Sequence, residues 1–472
     1  MLTLADVVEA LQGYRPQGVT PGITEAVVDS RHAIPGSMFV ATAGERTDGH
    51  LYVADAFKNG AHLALIEKEI DPTIAVVDLT KPLDPQYPFP QPPFALRVEN
   101  TVHALQTIAA FWRCRFNVQV IGITGSVGKS TTKELIAEVL SQRFRTLKNQ
   151  GNLNNEIGLP LTLLRLGPGY QCVVLEMGFY EPGDIDLLCR IAQPQVGVIT
   201  NIGTVHASRA KSQEAIAKGK SELVQALPAA PAGTAILNKD DPLVVSMAKL
   251  TSAKVFFYGL DRTADLWADQ IESQGLNGIR FRIHYGDESF NLQAPMIGRH
   301  SIHTILRAIS VALIEGLPWG EIITGLHHAS SQLRLVVVQT RHGALLLDDT
   351  YNASPESMLA ALNLLQELPG RKIAVLGGMN ELGPYELSGH QKVGFRANEV
   401  ADQVITYREN GLMIHDAVLN AGFPADHITH VGSETELINT LDAMLQKGDV
   451  VLVKGAHSLR MDNVVQALEM ED

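Results

Sequence analysis

The stretch from residue 124 to residue 131 has the residue types and the spacing that bind nucleotide phosphates. Its sequence is TGSVGKST, and it follows a buried, strand-like apolar run at 117–124. Gly125 and Gly128 permit a tight turn in which backbone N–H groups point at phosphate oxygens. A helical pattern begins near Ser130, and the N-terminus of a helix adds partial positive charge.

Lys129 would give a full positive charge to the β- and γ-phosphates, and a hydroxyl of Ser130 or Thr131 would ligate Mg²⁺. The usual GxxxxGK[ST] spacing requires Gly at 123, where this chain has Ile123. The loop is therefore a shortened variant, TGxxGK[ST], whose place between strand and helix still predicts ATP binding. The predicted ATP contacts in the loop are Thr124, Gly125, Ser126, Val127, Gly128, Lys129, Ser130 and Thr131.

Other chemically active side chains stand at the ends of strand-like runs. In open parallel sheets, ligands bind beyond the carboxyl ends of the strands. A single polar residue at such a position often only caps a helix or forms a turn. So many of them, in two regions of the chain, favour a functional site. These residues are Glu176, Asn201, Asn238, Asp348, Asp349 and Lys454.

Composition narrows the class of protein. Of 472 residues, 45% are hydrophobic and 19% are charged, so ordinary cores are expected and bulk disorder is not. The formal net charge of −13 argues against a nucleic-acid partner. The three cysteines lie far apart without a CxxC motif, which predicts neither disulfides nor a zinc site. No run is apolar enough for membrane insertion, and the N-terminus lacks signal-peptide character, so a cytoplasmic protein is expected.

The chain is predicted to have an α/β fold with three domains, at 1–100, 101–327 and 328–472. The first is a smaller α/β domain that ends in an exposed, proline-rich loop at 81–93. Alternating strands and helices in the other two predict parallel sheets, the last of them doubly wound. The strand-like runs are 117–124, 171–176, 196–202, 234–238, 344–349, 371–378, 403–407 and 449–455.

Several segments resemble the Mur ligases, and the resemblance covers nearly the whole chain. After ITGSVGKSTTKE come NQGNLNNEIGLPLTLL, LEMG and NIGTVH in the order seen in that family. The segment DSRHAIPGSMFVATAGERTDGH at 29–50 resembles the one that holds the uridine nucleotide. DDTYNASPESM at 348–358 and GGMNELG at 377–383 resemble the signature of the member that adds D-alanyl-D-alanine.

The resemblance implies a fold and a reaction. The fold would have an N-terminal UDP-substrate domain, a central P-loop ATPase-like domain and a C-terminal Rossmann-like domain. ATP would phosphorylate the terminal carboxylate of a UDP-N-acetylmuramoyl-tripeptide, and D-alanyl-D-alanine would attack the acyl phosphate. The product would be the pentapeptide precursor of peptidoglycan, made by a monomer.

The same resemblance assigns catalytic and metal residues. Glu176 would ligate Mg²⁺ together with Ser130 or Thr131, and His206 would ligate a second Mg²⁺. Lys220 resembles the lysine that these enzymes carbamylate; its ordinary alternative is a solvated lysine. The implied catalytic residues are Lys129, Lys220 and His206.

For the substrates, the resemblance implies further contacts. Asn238 and Asp240 are candidates for the base or ribose of ATP, His300 for adenine, and Arg334 and Asp349 for ATP as well. The predicted contacts to the peptide and uridine substrates are Ser30, Arg31, Asp48, Gly49, His50, Asn152, Asn154, Asn155 and Asn352.

Three positions depart from the family pattern. Thr304 stands where Asn is usual, and a hydroxyl cannot present both an amide donor and a carbonyl acceptor to a base. Gly378 replaces the Asp of GDM, and His457 replaces the Arg of KGSR; Arg460 is a candidate for the displaced cation. Alternatives are another amide ligase of this superfamily, a non-catalytic nucleotide-binding relative, or a P-loop switch or transport ATPase.

Overall fold

The structure is a computed structural model and describes most of the chain. Its described residues are 1–18, 21–44, 47–84, 86–204, 207–328 and 336–470. Two compact units emerge: 1–122 with 144–178 and 183–196, and 123–143 with 179–182 and 197–472. The domain boundaries expected from sequence stay a prediction. Within the described part of the chain, no helix has the length and apolar character needed to cross a membrane.

Short strands and helices alternate in the first part of the chain. They are β1 (Leu2–Thr3), α1 (Leu4–Gln12), β2 (Gly22–Ile23), β3 (Ala26–Val27), β4 (Met38–Val40), α2 (Val53–Lys58), β5 (Leu63–Ile66), β6 (Val76–Asp78), β7 (Phe94–Arg97) and α3 (Thr101–Arg113). Helix α1 begins with a capping box between Thr3 and Asp6 and ends at Gly13, whose φ is +75°. Strands β3 to β7 form a parallel sheet in the order β3-β4-β5-β7-β6.

Strands and helices also alternate in the middle of the chain. They are β8 (Gln119–Thr124), α4 (Lys129–Ser141), β9 (Thr146–Lys148), α5 (Gly158–Leu163), β10 (Cys172–Glu176), α6 (Asp184–Ala192), β11 (Val196–Ile199), α7 (Ala207–Ala210), α8 (Gln213–Gln225), β12 (Thr234–Asn238), α9 (Pro242–Ser246), β13 (Lys254–Gly259), β14 (Leu266–Ser273), β15 (Ile279–Tyr285), β16 (Glu288–Ala294), α10 (Ser301–Ile314) and α11 (Trp319–His328).

Parallel pairing dominates the predicted central strands, with an antiparallel addition. In the first unit β9 pairs with β10 in parallel. In the second unit β12, β13 and β14 pair in parallel, whereas β14, β15 and β16 pair antiparallel. Connections of only a few residues join β14 to β15 and β15 to β16, too short for a parallel crossover. These hairpin strands were not predicted from the sequence.

The last part of the chain is doubly wound, as predicted. Its elements are β17 (Val336–Gln339), β18 (Leu345–Asp348), α12 (Pro355–Glu367), β19 (Lys372–Gly377), α13 (Glu386–Val400), β20 (Gln403–Tyr407), α14 (Gly411–Asn420), β21 (Ile428–Val431), α15 (Glu434–Met444), β22 (Val450–Lys454) and α16 (Asp462–Leu468). The strand order is β17-β18-β22-β19-β20-β21, parallel except for β17 with β18. Separate apolar clusters cover its two faces. The predicted α/β fold is confirmed.

Candidate active site

The phosphate loop has a conformation that favours glycine at two positions. Strand β8 ends at Thr124, and α4 begins at Lys129. Gly125 has a φ of +146°, and a β-carbon there would lie 1.9 Å from Thr200 Oγ1. Gly128 has a φ of +81° and is the N-cap of α4. Because glycine adopts positive φ without a steric penalty, both residues suit the turn that the sequence predicted.

The segment that follows β11 holds this loop in place. Ser126 N–H donates to Asn201 O at 2.9 Å, and Val127 N–H donates to Asn201 Oδ1 at 3.0 Å. Thr200 Oγ1 donates to Val127 O at 2.8 Å, and Gly203 N–H donates to Ser126 Oγ at 2.8 Å. These bonds occupy the N–H groups of Ser126 and Val127. Phosphate binding by the loop would therefore use its other donors, and the roles of Ser126 and Val127 stay predictions.

Two lysine side chains meet at one carbonyl oxygen of the loop. Lys129 Nζ donates to Gly125 O at 2.8 Å and to Ser126 O at 3.3 Å. Lys220 Nζ donates to the same Gly125 O at 2.9 Å. Burial, and next the charge of Lys129, hold the pKa of Lys220 well below its ordinary value. The site thus combines the lysine predicted to bind phosphate with an amine whose pKa favours the neutral form more than that of an ordinary lysine.

Helix α8 buries Lys220 completely. The side chain is 0% exposed, and Nζ lies 4.8 Å from the centre of the Phe179 ring. A β-carbon at the preceding Gly219 would lie 2.1 Å from Phe179 Cε2, so glycine leaves room for that ring. Lys218 is exposed, as its helical spacing from Lys220 predicts. Burial excludes the alternative that Lys220 is an ordinary solvated lysine.

The predicted metal ligands are only partly within the described residues. Ser130 is buried and Thr131 is half-buried in the first turn of α4. His206 lies outside the described residues. Across the described ranges, no three His, Cys, Asp or Glu side chains are grouped to hold a metal. Mg²⁺ usually takes few protein ligands and completes its shell with phosphate and water, and hydroxyl oxygens fit that chemistry.

In the first unit, asparagines surround the end of β10. Asn154 Nδ2 donates to Glu176 Oε1 at 2.9 Å, and Glu176 N–H donates to Asn149 Oδ1 at 2.9 Å. Asn155 Oδ1 accepts the first N–H of α5 at 2.9 Å, and Asn152 O accepts from Asn154 N–H at 2.8 Å. Asn154 and Glu176 therefore contact each other, and their roles with substrate and Mg²⁺ stay predictions. Asn149 was not predicted.

The residues expected near the base and ribose are partly bonded to protein groups. Asn238 Nδ2 donates to Thr200 O at 3.1 Å, and Asn238 Oδ1 accepts from Asp240 N–H at 3.0 Å. Asp240 Oδ2 lies 2.8 Å from His303 Nε2. His300 is exposed and directly precedes α10. The contacts of Asn238 and His300 with ATP stay predictions.

At the end of β22, Lys454 joins two predicted residues. Its Nζ lies 2.7 Å from Asp349 Oδ2 and donates to Asn352 O at 2.8 Å. Lys454 is only 2% exposed, so this ion pair is largely shielded from water. Arg334, the other predicted cation of this region, lies outside the described residues.

The structure accounts for one of the departures from the family pattern. A β-carbon at Gly378 would lie 2.3 Å from Asn410 Cβ, so an aspartate there would require Asn410 to move. His457 begins a 3₁₀ turn. Arg460, at the end of that turn, pairs with Asp462 at 2.9 Å and is largely exposed.

The described residues of the segment expected to hold uridine lie in the first unit and contact residues within and beyond the segment. Lys68 Nζ lies 2.6 Å from Asp48 Oδ2, and His50 Nδ1 lies 2.6 Å from Asp48 Oδ1. The hydrogen bond from Lys68, and next that from His50, hold the pKa of Asp48 well below its usual range. His50 Nε2 accepts from Glu67 N–H at 3.0 Å, so the proton is on Nδ1. A β-carbon at Gly49 would lie 2.8 Å from a backbone nitrogen.

A 3₁₀ turn in the same segment presents a cation. Ser30 is buried, and its carbonyl oxygen accepts from Asn59 Nδ2 at 2.9 Å. Arg31 is exposed and pairs with Asp29 at 2.6 Å. Because exposed ion pairs contribute little to stability, breaking this pair would cost little, and the substrate contact of Arg31 stays a prediction.

Besides Asn149, sequence reasoning missed three residues that shape the phosphate loop and its lysines. Thr200 and Phe179 act only through contacts distant in sequence, and Gly219 acts through Phe179. The rule that polar residues follow strands named Asn201 and would also have found Thr200. No local pattern distinguishes Phe179 from an ordinary core residue.

Comparisons with known proteins agree with this arrangement. The family model of the Mur ligase middle domain matches residues 123–312, and that of the Mur ligase, glutamate ligase domain, matches residues 333–457. The UDP-N-acetylmuramoyl-tripeptide--D-alanyl-D-alanine ligase of Synechocystis sp. is 36% identical over 452 residues, covering 95% of this chain and 93% of the relative. The ligase of the same name from Escherichia coli is 32% identical, with 99% and 98% covered.

Solved structures extend the likeness to the fold. MurF from Acinetobacter baumannii superposes with a TM-score of 0.85 at 30% identity, covering 98% of both chains. MurF ligase from Thermotoga maritima, in complex with ADP, has a TM-score of 0.77 at 29% identity, covering 94% of this chain and 96% of the other. This chain therefore belongs to the Mur ligase family.

Proposed function

We propose that this protein uses ATP to join D-alanyl-D-alanine to a UDP-N-acetylmuramoyl-tripeptide, forming the pentapeptide precursor of peptidoglycan. The observation that carries phosphoryl chemistry is the convergence of Lys129 and Lys220 on Gly125 O of the phosphate loop. The choice of amine and acceptor is supported by full-length relatives with that activity in their names. The segment DDTYNASPESM also supports it.

The reaction brings two anions together, and cations must offset their repulsion. A carboxylate oxygen of the tripeptide attacks the γ-phosphorus, the bond to the β–γ bridging oxygen breaks, and ADP leaves. The amine nitrogen of D-alanyl-D-alanine then attacks the acyl carbon. The carbon–oxygen bond to phosphate breaks, and the amine loses a proton. Lys129, at the start of α4, would neutralise the transferring phosphoryl group.

Mg²⁺ would neutralise further phosphate charge when it is bound. Ser130 and Thr131 would hold it, because their hydroxyl oxygens lie in the first turn of α4 beside the phosphate loop. Glu176 and His206 stay predicted ligands that rest on the family resemblance. The fit of the hydroxyl donors supports magnesium over softer metals, which prefer sulfur or imidazole.

Lys220 would react with carbon dioxide. A neutral amine nitrogen adds to the carbon of CO₂ and releases a proton, which leaves a carbamate anion. Such chemistry needs the unprotonated amine, and the complete burial of Lys220 beside Lys129 favours that form. The carbamate would give Lys220 a negative charge and oxygen atoms of the kind that Mg²⁺ prefers as ligands.

The remaining features of the proposal rest on sequence. We expect a cytoplasmic monomer with three domains, bounded as stated above, that binds neither nucleic acid nor membrane. Light scattering on a sizing column measures the mass; a mass well above the 51.2 kDa chain contradicts the monomer.

Phosphate release with Mg-ATP and the UDP-muramoyl tripeptide, with and without D-alanyl-D-alanine, tests the proposed function. We expect release that depends on both substrates, and a pentapeptide product by mass. Release with other amino acids but not with this dipeptide would indicate another ligase of the superfamily. ADP binding without turnover for any amine would indicate a non-catalytic relative.

Two further experiments use the same assay. Comparing tripeptides that carry lysine or diaminopimelate identifies the third residue of the accepted peptide. Lys129→Ala should abolish phosphate release while the fold persists.

A further inference from the structure

The guanidinium group of Arg307 lies beside the phosphate loop. Arg307 is in α10, which packs against α4, and only 4% of it is exposed. A β-carbon at Gly128 would lie 3.3 Å from Arg307 Nη2. Because Gly128 is the N-cap of α4, this cation stands where the helix already favours an anion.

Protein groups satisfy only part of this guanidinium. Nη2 donates to Thr304 Oγ1 at 2.7 Å, and Nη1 lies at the 3.5 Å limit from Tyr258 OH. Nε is buried and makes no hydrogen bond in the described part of the chain. None of the Asp or Glu side chains placed in the structure forms an ion pair with Arg307. A buried cation without an anion is costly, so the site is incomplete without a negatively charged ligand.

We propose that Arg307 binds a phosphate group of the nucleotide, an inference that rests on the proposed function. A guanidinium presents a planar fork of donors that matches phosphate oxygens, and Nε has no protein acceptor in the described part of the chain. Thr304 orients the fork through its hydroxyl oxygen. Thr304, at a position where the family usually has asparagine, therefore holds the arginine that binds phosphate.

Arg113 shows how a purely structural buried arginine differs. It is 6% exposed in the first unit, and Nε donates to Ala192 O at 2.8 Å. Its Nη groups donate to three further backbone carbonyl oxygens. Each nitrogen of the Arg113 guanidinium therefore donates to a backbone oxygen, whereas Arg307 Nε has no acceptor in the described part of the chain. The pair provides a matched control within one chain.

Calorimetric titration of ADP and thermal unfolding without nucleotide, on the full chain, test this inference. Arg307→Met should weaken ADP binding roughly 10- to 100-fold, the loss of a hydrogen bond to a charged group. Without ADP its unfolding midpoint should hold or rise, because an unpaired buried cation is removed. Arg113→Met should leave ADP binding unchanged and lower the unfolding midpoint. If Arg307→Met does not fold, Arg307→Gln should show the same loss of affinity.

The outcomes separate the two proposals. If Lys129→Ala weakens ADP binding but Arg307→Met or Arg307→Gln binds it like the unsubstituted protein, only the role of Arg307 is overturned. A lower unfolding midpoint of Arg307→Met with unchanged affinity would make Arg307 structural. If the unsubstituted protein does not bind ADP, the proposed function fails, and this inference fails with it.

Discussion

Replacing Gly219 by alanine tests whether the ring of Phe179 sets the position of Lys220. The new methyl group would project from α8 into the space that this ring occupies. Since the ring also lies against Lys220 Nζ, displacing it would disturb the hydrogen bond from Lys220 to Gly125 O. We expect loss of both stability and turnover.

The distances give the size of the effect. The added carbon would lie 2.1 Å from Phe179 Cε2 and 2.8 Å from Cζ, whereas carbon atoms normally approach to about 3.5–4.0 Å. Phe179 is 2% exposed, so its ring cannot move into solvent. Overpacking costs roughly 1–3 kcal/mol, and the better helix propensity of alanine offsets about 0.8–1.0 kcal/mol. The overlap is large, so we expect a net loss of about 1–2 kcal/mol.

Scanning calorimetry and steady-state turnover measure the two effects. Gly320→Ala is the matched control, because Gly320 lies in helix α11 with no heavy atom within 4 Å of the added carbon. It should hold or raise the unfolding midpoint and leave turnover unchanged. If Gly219→Ala behaved like this control in both assays, the packing argument for Lys220 would be wrong.

Three further substitutions follow from the site. Burial, and next Lys129, lower the pKa of Lys220, so unfolding takes up a proton between that pKa and the ordinary 10.5, and stability rises with pH there. Lys220→Met should abolish turnover and remove this slope, measured by denaturant titration at several pH values. Thr200→Val removes the hydrogen bond from Thr200 to the loop, and we expect the free energy of unfolding to fall by about 0.5–1.5 kcal/mol. Calorimetric titration should also show weaker ADP binding. Asp349→Ala removes the carboxylate partner of buried Lys454 and should lower the free energy of unfolding by about 3–5 kcal/mol. Adding Lys454→Met should restore part of that free energy, measured by denaturant titration.

Strands buried on both faces were predictable, whereas one amphipathic hairpin was not. The runs at 234–238 and 403–407 coincide with β12 and β20, because continuous apolar residues mark buried parallel strands. Strand β15 alternates buried Ile279, Phe281 and Ile283 with less buried residues, a pattern that the sequence does contain. The pairing of β15 with its partner β14 is irregular, because the register of β14 shifts between Asp269 and Glu272. This irregularity makes the hairpin hard to recognise from the sequence.

Within the site, local motifs were readable and distant contacts were not. The phosphate loop has a spacing that marks it directly. The burial of Lys220 depends on Phe179, and the isolation of Arg307 depends on which carboxylates fail to reach it. Neither is encoded in the residues next to these side chains, so only the folded chain reveals them.

The carbonyl oxygen of Gly125 also constrains how the protein can be made. Lys220, one of the two lysines that donate to it, lies 95 positions later in the chain, and Thr200 reaches the loop across 73 positions. A nascent chain that has emerged only to the end of α4 lacks every one of these contacts. Closing such long loops is slow and entropically costly. The loop therefore gains all of these contacts only after α8 has been synthesised, and a fragment that ends before α8 carries the phosphate-loop motif without the contact from Lys220.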